Sequence, residues 1–216
     1  LYEILQGANM VFIAAGMGGG TGTGAAPIVA QVAKDLGALT IAIVTRPFSF
    51  EGEKRRKNAI EGINKLKENV DAIIIVSNDK LMMMNGTRPI SEAFAESDRV
   101  LAQSVKTITD LIVVPGVINL DFADVRSTLK DKGLALIGFG SGTGPKKAND
   151  AASSALLSPL LEASIHGAHS IIANVTCGNN VSLDEVKEAI DYVTSAAGNN
   201  PNIIFGVQAN PELIKC

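Results

Sequence analysis

Residues 16–24 read Gly-Met-Gly-Gly-Gly-Thr-Gly-Thr-Gly. An apolar run precedes them and a run of small residues follows, so the stretch marks a strand handing over to a helix. Such a junction suits an anion, because bare backbone N–H groups point outward and the helix dipole favours negative charge. Glycine also lets the backbone approach phosphate oxygens with no Cβ in the way. Two familiar phosphate motifs are excluded. No Gly-Lys-[Ser/Thr] occurs, so there is no Walker A loop, and Thr21 or Thr23 falls on the last glycine of GxGxxG in either register. A tight strand–helix turn would use the same glycines for packing alone.

Three further sets of residues have types and spacing that chemistry can use. Glu51 and Arg55 stand four apart at the start of a helical pattern, the spacing of an ordinary ion pair. Phe94 and Asp98 lie one helical turn apart. A guanine ring could stack on Phe94 while Asp98 accepts from its N1–H and 2-amino group, a donor pair that adenine lacks. The pair reads equally as a core phenylalanine beside a partly exposed acid. Asp98 is expected on the apolar stripe between Phe94 and Leu101, where an unpaired carboxylate is costly. Asp121 and Asp124 fit an N-cap and a first-turn acid of the next helix.

Two other features resemble sites. Gly138-Phe-Gly-Ser-Gly-Thr-Gly144 precedes Lys146 and Lys147 and imitates a second phosphate loop; we read a structural turn. His166 and His169 lack cysteine or carboxylate partners at ligand spacing, so no metal site is expected there.

The elements that must carry these residues alternate. Apolar runs at 10–15, 39–44 and 72–76 read as strands buried on both faces, hence a parallel sheet covered by helices. Helices are expected at 24–36 and through Ala59, Ile63, Leu66 and Val70. A long helix starts near Ile90, with Phe94, Leu101, Val105, Ile108 and Ile112 as its stripe, and stops at Pro115-Gly116. Beyond it lie a short helix at 125–132, a strand at 134–139, a helix at 147–157, a strand at 170–176 and a strand at 202–208. Ser182-Leu-Asp-Glu185 is a capping box that opens another helix.

With 216 residues and 46% apolar content, the chain can bury a substantial core. Nineteen Lys and Arg against 22 Asp and Glu give a net charge of −3, which argues against a nucleic-acid partner. No apolar run nears the ~18 residues of a membrane span, so no direct insertion is expected. Cys177 and Cys216 form no CxxC pair, which fits a reducing compartment. The opening and closing residues read as cuts within a longer chain.

Gly-Gly-Gly-Thr-Gly-Thr-Gly at 18–24 resembles the signature loop of the tubulin/FtsZ family in its FtsZ form. Thr45-Arg-Pro-Phe-Ser-Phe-Glu-Gly52, Asn119-Leu-Asp-Phe-Ala-Asp-Val-Arg126 and Ser158-Pro-Leu-Leu-Glu162 match the family in the same order. The resemblance implies a bacterial-type, polymerising GTPase of the cell-division ring, cytoplasmic and placed at mid-cell. It implies an α/β fold: an incomplete Rossmann-like parallel-sheet GTPase domain, joined by a long central helix to an α+β C-terminal domain. The corresponding ranges are 1–88, 89–115 and a truncated 116–216. Gly18, Gly19, Gly20, Thr21, Gly22, Thr23 and Gly24 would cradle the phosphates of GTP or GDP with Mg2+. Glu51 and Arg55 would border the ribose and phosphates, and Phe94 and Asp98 the base. Asn119, Asp121 and Asp124 would act in trans, completing the site of the next subunit in a head-to-tail filament of the chain with itself. The family's first strand, first phosphate loop and base-contacting Asn have no counterpart here. Its closing strands, and the tail that engages membrane-tethering and regulatory division proteins, have none either. Residues 82–88 also depart from the family pattern. The competing reading is an NADP-dependent oxidoreductase with a doubly wound fold, Arg46 taking the 2′-phosphate, although no catalytic Tyr/Lys or His constellation accompanies it.

Overall fold

Runs of β-branched residues without polar alternation must be covered on both faces. The computed structural model, which describes residues 1–85, 89–158, 160–161, 163–178, 181–198, 200–210 and 213, builds its first unit around such runs. That unit comprises Leu1–Val105 and Leu129–Leu136; the second comprises Lys106–Thr128 and Ile137–Cys216.

In the first unit, a short helix α1 (Tyr2–Leu5) precedes β1 (Met10–Gly16), α2 (Thr21–Asp35), β2 (Leu39–Arg46), α3 (Glu53–Lys67) and β3 (Ala72–Ser77). Helix α4 (Asn78–Asn85) and α5 (Ile90–Val113) as far as Val105 follow, and β4 (Gly133–Ala135) returns to the sheet. The strand order is β1-β2-β3-β4, all parallel. β2 is buried from Leu39 to Thr45 and β3 from Ala72 to Val76. β1 lies at the edge and alternates instead: Val11 and Ile13 are buried, Ala14 and Gly16 exposed. Ala59, Ile63 and Leu66 are buried, so α3 packs with the expected face; Val70, beyond the helix end at Lys67, is buried as well. Gly16 pairs with Thr45, and Arg46 with Ser77, which sets three carboxyl ends side by side. In open parallel sheets that edge is where ligands bind.

Two expectations about the helices need correction. α2 starts at Thr21, not Gly24, so half the glycine loop is already helix. The long helix has the expected period, but apart from Ile108 its buried face is centred one position earlier than the predicted stripe. Its buried residues are Ser97, Val100, Ser104, Ile108 and Leu111; Ile108 is a member of the predicted stripe, Leu101, Val105 and Ile112 are half-buried one position after their buried neighbours, and Phe94 is 42% exposed. A one-residue shift turns a helix by about 100°. The serines tolerate burial because each hydroxyl is bonded: Ser104 Oγ donates to Val100 O at 2.7 Å, and Ser97 Oγ to Asn78 Oδ1 at 2.9 Å.

The second unit contains most of α6 (Phe122–Leu129), then α7 (Lys147–Leu156), β5 (Ser170–Cys177), α8 (Leu183–Ala197) and β6 (Asn202–Ala209). β5 and β6 pair in parallel across α8, and Ile118 bridges Val207. The capping box forms: Glu185 N–H donates to Ser182 Oγ, and Ser182 N–H to Glu185 Oε2. The Ser182 N–H, helped by Lys147, holds the Glu185 carboxyl below its ordinary value. The box is therefore at full strength above the ordinary glutamate range and is lost as pH falls through that lowered value. Among the described residues, no helix is long and apolar enough to cross a membrane.

The expected strand at 134–139 ends at Ala135, where pairing with β3 stops. Gly138, Gly140 and Gly142 form no turn; only Gly144 opens one, the 3-10 turn Gly144–Lys146. A Cβ on Gly138, Gly140 or Gly142 would collide with the carbonyl of Ala155, Ala151 or Lys147 on α7. Two extended residues advance about 6.7 Å and four helical residues about 6 Å, so the two rows stay in step. Gly140→Ala is expected to cost about 1–3 kcal/mol and to unprotect α7 amides in hydrogen exchange. Ser141→Ala, at an exposed position, should leave the melting temperature unchanged.

Candidate functional site

The glycines of 16–24 divide into two kinds. Gly18 has φ +107°, and a Cβ there would lie 2.8 Å from the Arg55 carbonyl oxygen. A Cβ on Gly22 would lie 2.7 Å from the Gly16 carbonyl oxygen. Both are required by the protein's own packing. Gly19, Gly20 and Gly24 have nothing within 4 Å of a Cβ position. Packing asks nothing of these three, and their bareness leaves open space in front of the loop.

The loop is clamped from behind. Met17 N–H donates to Thr45 O at 3.0 Å, continuing the sheet. Gly18 N–H donates to Thr23 Oγ1 at 2.8 Å, tying loop to helix. Gly62 of α3 lies so close to Thr23 and Met17 that no Cβ fits there. Asn58 Nδ2 donates to Gly18 O at the outer limit of 3.5 Å. Gly20 is the N-cap of α2 and has no side chain to cap with. The first-turn N–H groups are thus free of a cap and face outward, as phosphate oxygens require.

Glu51 ends a short 3-10 turn, Ser49–Glu51, between β2 and α3. Its carboxylate accepts from Phe48 N–H at 3.0 Å and pairs with Arg55. The Glu51 side chain is 10% exposed and that of Arg55 56%, so the arginine presents its outer side to solvent. Phe94 meets the buried Phe48 edge to face at 5.0 Å, and Phe48 stacks on Phe50 at 5.1 Å. Asp98 is exposed, so the desolvation cost expected for it does not arise. The glycine loop, Glu51, Arg55, Phe94 and Asp98 all belong to the first unit.

Asn119, Asp121 and Asp124 belong to the second unit. Asn119 closes a loop with Gly116, accepting from its N–H at 2.6 Å. Asp121 is an N-cap, its Oδ1 accepting from Asp124 N–H at 2.7 Å. Asp124 is an exposed first-turn acid of α6. His169 Nδ1 lies 2.9 Å from Gly167 O, and His166 sits beside Gly198. Among the described residues, no group of three or more His, Cys, Asp or Glu could hold a metal ion. Pro159 and Glu162 of the 158–162 motif lie outside the described residues, as do Gly86 to Arg88 and Cys216; Cys177 Sγ donates to Gln208 O at 3.7 Å.

Sequence reasoning missed Phe48, Asn78 and Asp79. Phe48 had a signal, since it lies inside a quoted motif. Asn78 and Asp79 follow β3 directly, at the ligand-binding edge of the sheet.

Residues 1–86 match the model of the tubulin/FtsZ family GTPase domain, and residues 133–216 that of the FtsZ family C-terminal domain. A solved FtsZ dimer from M. jannaschii is 42% identical with a TM-score of 0.93, covering 98% of this chain. This chain belongs to the tubulin/FtsZ family. A W319Y mutant of FtsZ from M. jannaschii, also 42% identical, superposes with a TM-score of 0.92 over 97% of this chain. The chain spans 62% and 63% of those two FtsZ chains. CetZ1 from Haloferax volcanii, 19% identical, shares the fold with a TM-score of 0.71 over 94% of this chain and 59% of its own. Family membership displaces the oxidoreductase alternative, and the Rossmann-like sheet with a separate C-terminal domain is the family's fold.

The division of the glycines is testable by melting. Gly18→Ala should cost about 1–3 kcal/mol, from its positive φ and the Arg55 carbonyl. Gly20→Ala, at φ −80° with open space, should melt within about 0.5 kcal/mol of the unaltered protein.

Proposed function

We propose that this chain carries the nucleotide pocket and the acidic loop of a tubulin-like GTPase that assembles head to tail. The single observation behind this reading is the open pair Gly19 and Gly20, bare without any packing reason, at an uncapped helix N-terminus. Gly18 to Gly24, Thr21 included, form the cradle for the phosphates of GTP or GDP; Gly19 to Gly22 offer their backbone N–H groups, while the N–H groups of Gly18 and Gly24 are held by Thr23 Oγ1 and Gly20 O. Glu51 and Arg55 border the ribose and phosphates. Phe94 offers its exposed ring to guanine, and Asp98 accepts from the N1–H and amino group.

Mg2+ on the phosphate oxygens would offset their charge during transfer to water. The chain's own part is to hold the triphosphate still and to supply carboxylates at the attacking water. Asp121 and Asp124, with Asn119, do this for the neighbouring subunit rather than their own. A head-to-tail contact is heterologous and propagates into a filament, here that of the cell-division ring at mid-cell. The 42%-identical structures come from M. jannaschii, so the reading is made without a bacterial source.

Mixing two variants of the full-length protein tests the split site. Asp124→Ala keeps the pocket and loses the loop acid, while Gly20→Ala keeps the acid and loses the cradle. Each alone should bind or assemble but turn GTP over at least about a hundredfold more slowly. An equimolar mixture should recover about a quarter of full turnover, since one junction in four joins an intact pocket to an intact loop. No recovery, or Asp124→Ala losing GTP affinity by more than a few-fold, would refute the trans assignment.

A further inference from the structure

The segment that leads into Asn119, Asp121 and Asp124 is bolted to β6. Gln208 Nε2 of that strand donates to Asp110 O, in the last turn of α5, at 2.9 Å across 98 positions of chain. Asp110 O already accepts from Val114 N–H at 3.0 Å, so the amide takes its second lone pair. One residue back along the strand, Val207 bonds the connection itself. Its N–H donates to Ile118 O at 2.9 Å, and its O accepts from Val117 N–H at 2.7 Å and Ile118 N–H at 3.2 Å. Two glycines permit this approach. A Cβ on Gly116 would lie 2.5 Å from Val207 O, and one on Gly206 would lie 2.7 Å from Leu111 Cδ2. Asn119 then closes on Gly116, accepting from its N–H at 2.6 Å and donating to its O at 3.2 Å. Only Leu120 separates this closed loop from the N-cap Asp121. All these residues belong to the second unit.

We infer that Gln208 is a positioning residue for the acidic loop. The inference rests on the trans reading proposed above. Backbone bonds at Val207 alone would leave a pivot, about which the loop could swing. A second tie at Asp110, upstream of the loop, removes that freedom, because two fixed points on one strand set the direction of the segment between them. Residues Ile203 to Val207 are apolar or glycine, and Gln208 is the polar exception that follows. A hydrogen bond from it holds one direction and one height, where apolar contact would tolerate sliding. The tie carries little of the fold. Without the amide, Asp110 O keeps its helix bond and Val207 keeps its bridge. What is lost is the aim of Asp121 and Asp124. Carboxylates that must meet a water in another subunit's pocket depend on that aim, since a displacement of about 1 Å can cost up to a hundredfold in rate.

Turnover of the full-length protein, taken per sedimented subunit at saturating GTP, tests the assignment. Gln208→Ala should lower it about tenfold, with GTP affinity and melting temperature close to those of the unaltered protein. Gln208→Lys, whose amine reaches the same carbonyl, should restore it. Asn202→Ala, at the exposed start of β6, should leave it unchanged. Mixtures locate the defect. Gln208→Ala with an equal amount of Gly20→Ala should rise to about a quarter of full turnover, because one junction in four joins an intact pocket to a well-aimed loop. Gln208→Ala with Asp124→Ala should not rise above Gln208→Ala alone, since neither variant brings a loop that is both aimed and acidic. If Gln208→Ala does not fold, Gln208→Leu keeps the length, loses the donor and carries the same expectations. A folded variant of either kind with unchanged turnover overturns the inference. So does any mixture pattern other than a rise with Gly20→Ala alone; a rise with Asp124→Ala would put the defect in the pocket. Absence of recovery between Gly20→Ala and Asp124→Ala overturns the trans reading itself, and this inference with it.

Discussion

The hydrogen bond from Gly18 N–H to Thr23 Oγ1 is the hinge of the whole arrangement. A loop this rich in glycine has the highest conformational entropy to lose, and an anion cradle is useful only if that loss is met before the ligand arrives. The Thr23 hydroxyl fixes the loop against the helix it feeds. Gly22 lets that helix sit on the Gly16 carbonyl, Gly18 lets the loop sit on the Arg55 carbonyl, and Gly62 lets α3 close over Thr23. With the back of the loop locked, the front can stay bare. Gly19 and Gly20 then present backbone alone, ahead of a helix start that has no side-chain cap.

The parallel sheet sets where this happens. β1, β2 and β3 end beside one another, and each carboxyl end hands over to a different part of the candidate pocket: the glycine loop, the turn with Glu51, and Asn78-Asp79. The second unit uses glycine in a contrasting way. At Gly138, Gly140 and Gly142 the missing Cβ is filled by helix carbonyls of α7, leaving no room for a ligand. Two glycine-rich stretches of similar spelling thus have opposite physics, open backbone in one and closed packing in the other.

That difference marks the limit of what the residues alone reveal. The continuous apolar runs, the α3 face and the Ser182–Glu185 box were legible because each depends on near neighbours and on period. The tubulin/FtsZ membership was legible from four motifs in order. The division of labour among the glycines was not, because it depends on the Arg55 carbonyl, far along the chain. The face of α5 was misjudged because Ser97 and Ser104 are polar by type, and only their partners, Asn78 Oδ1 and Val100 O, make them core residues. Asp98 was placed inside by the same error and is exposed. The caps formed by Asp121 and Asp124 were legible locally; their proposed action on a neighbouring subunit has no trace in spacing.

The most direct measurement is amide hydrogen exchange, residue by residue, with and without GTP and with guanosine as the control. If the bare backbone holds the phosphates, GTP should slow exchange at Gly19, Gly20, Thr21 and Gly22 by at least about tenfold, and guanosine should not. Saturating GTP binding with those four amides unchanged would contradict the account.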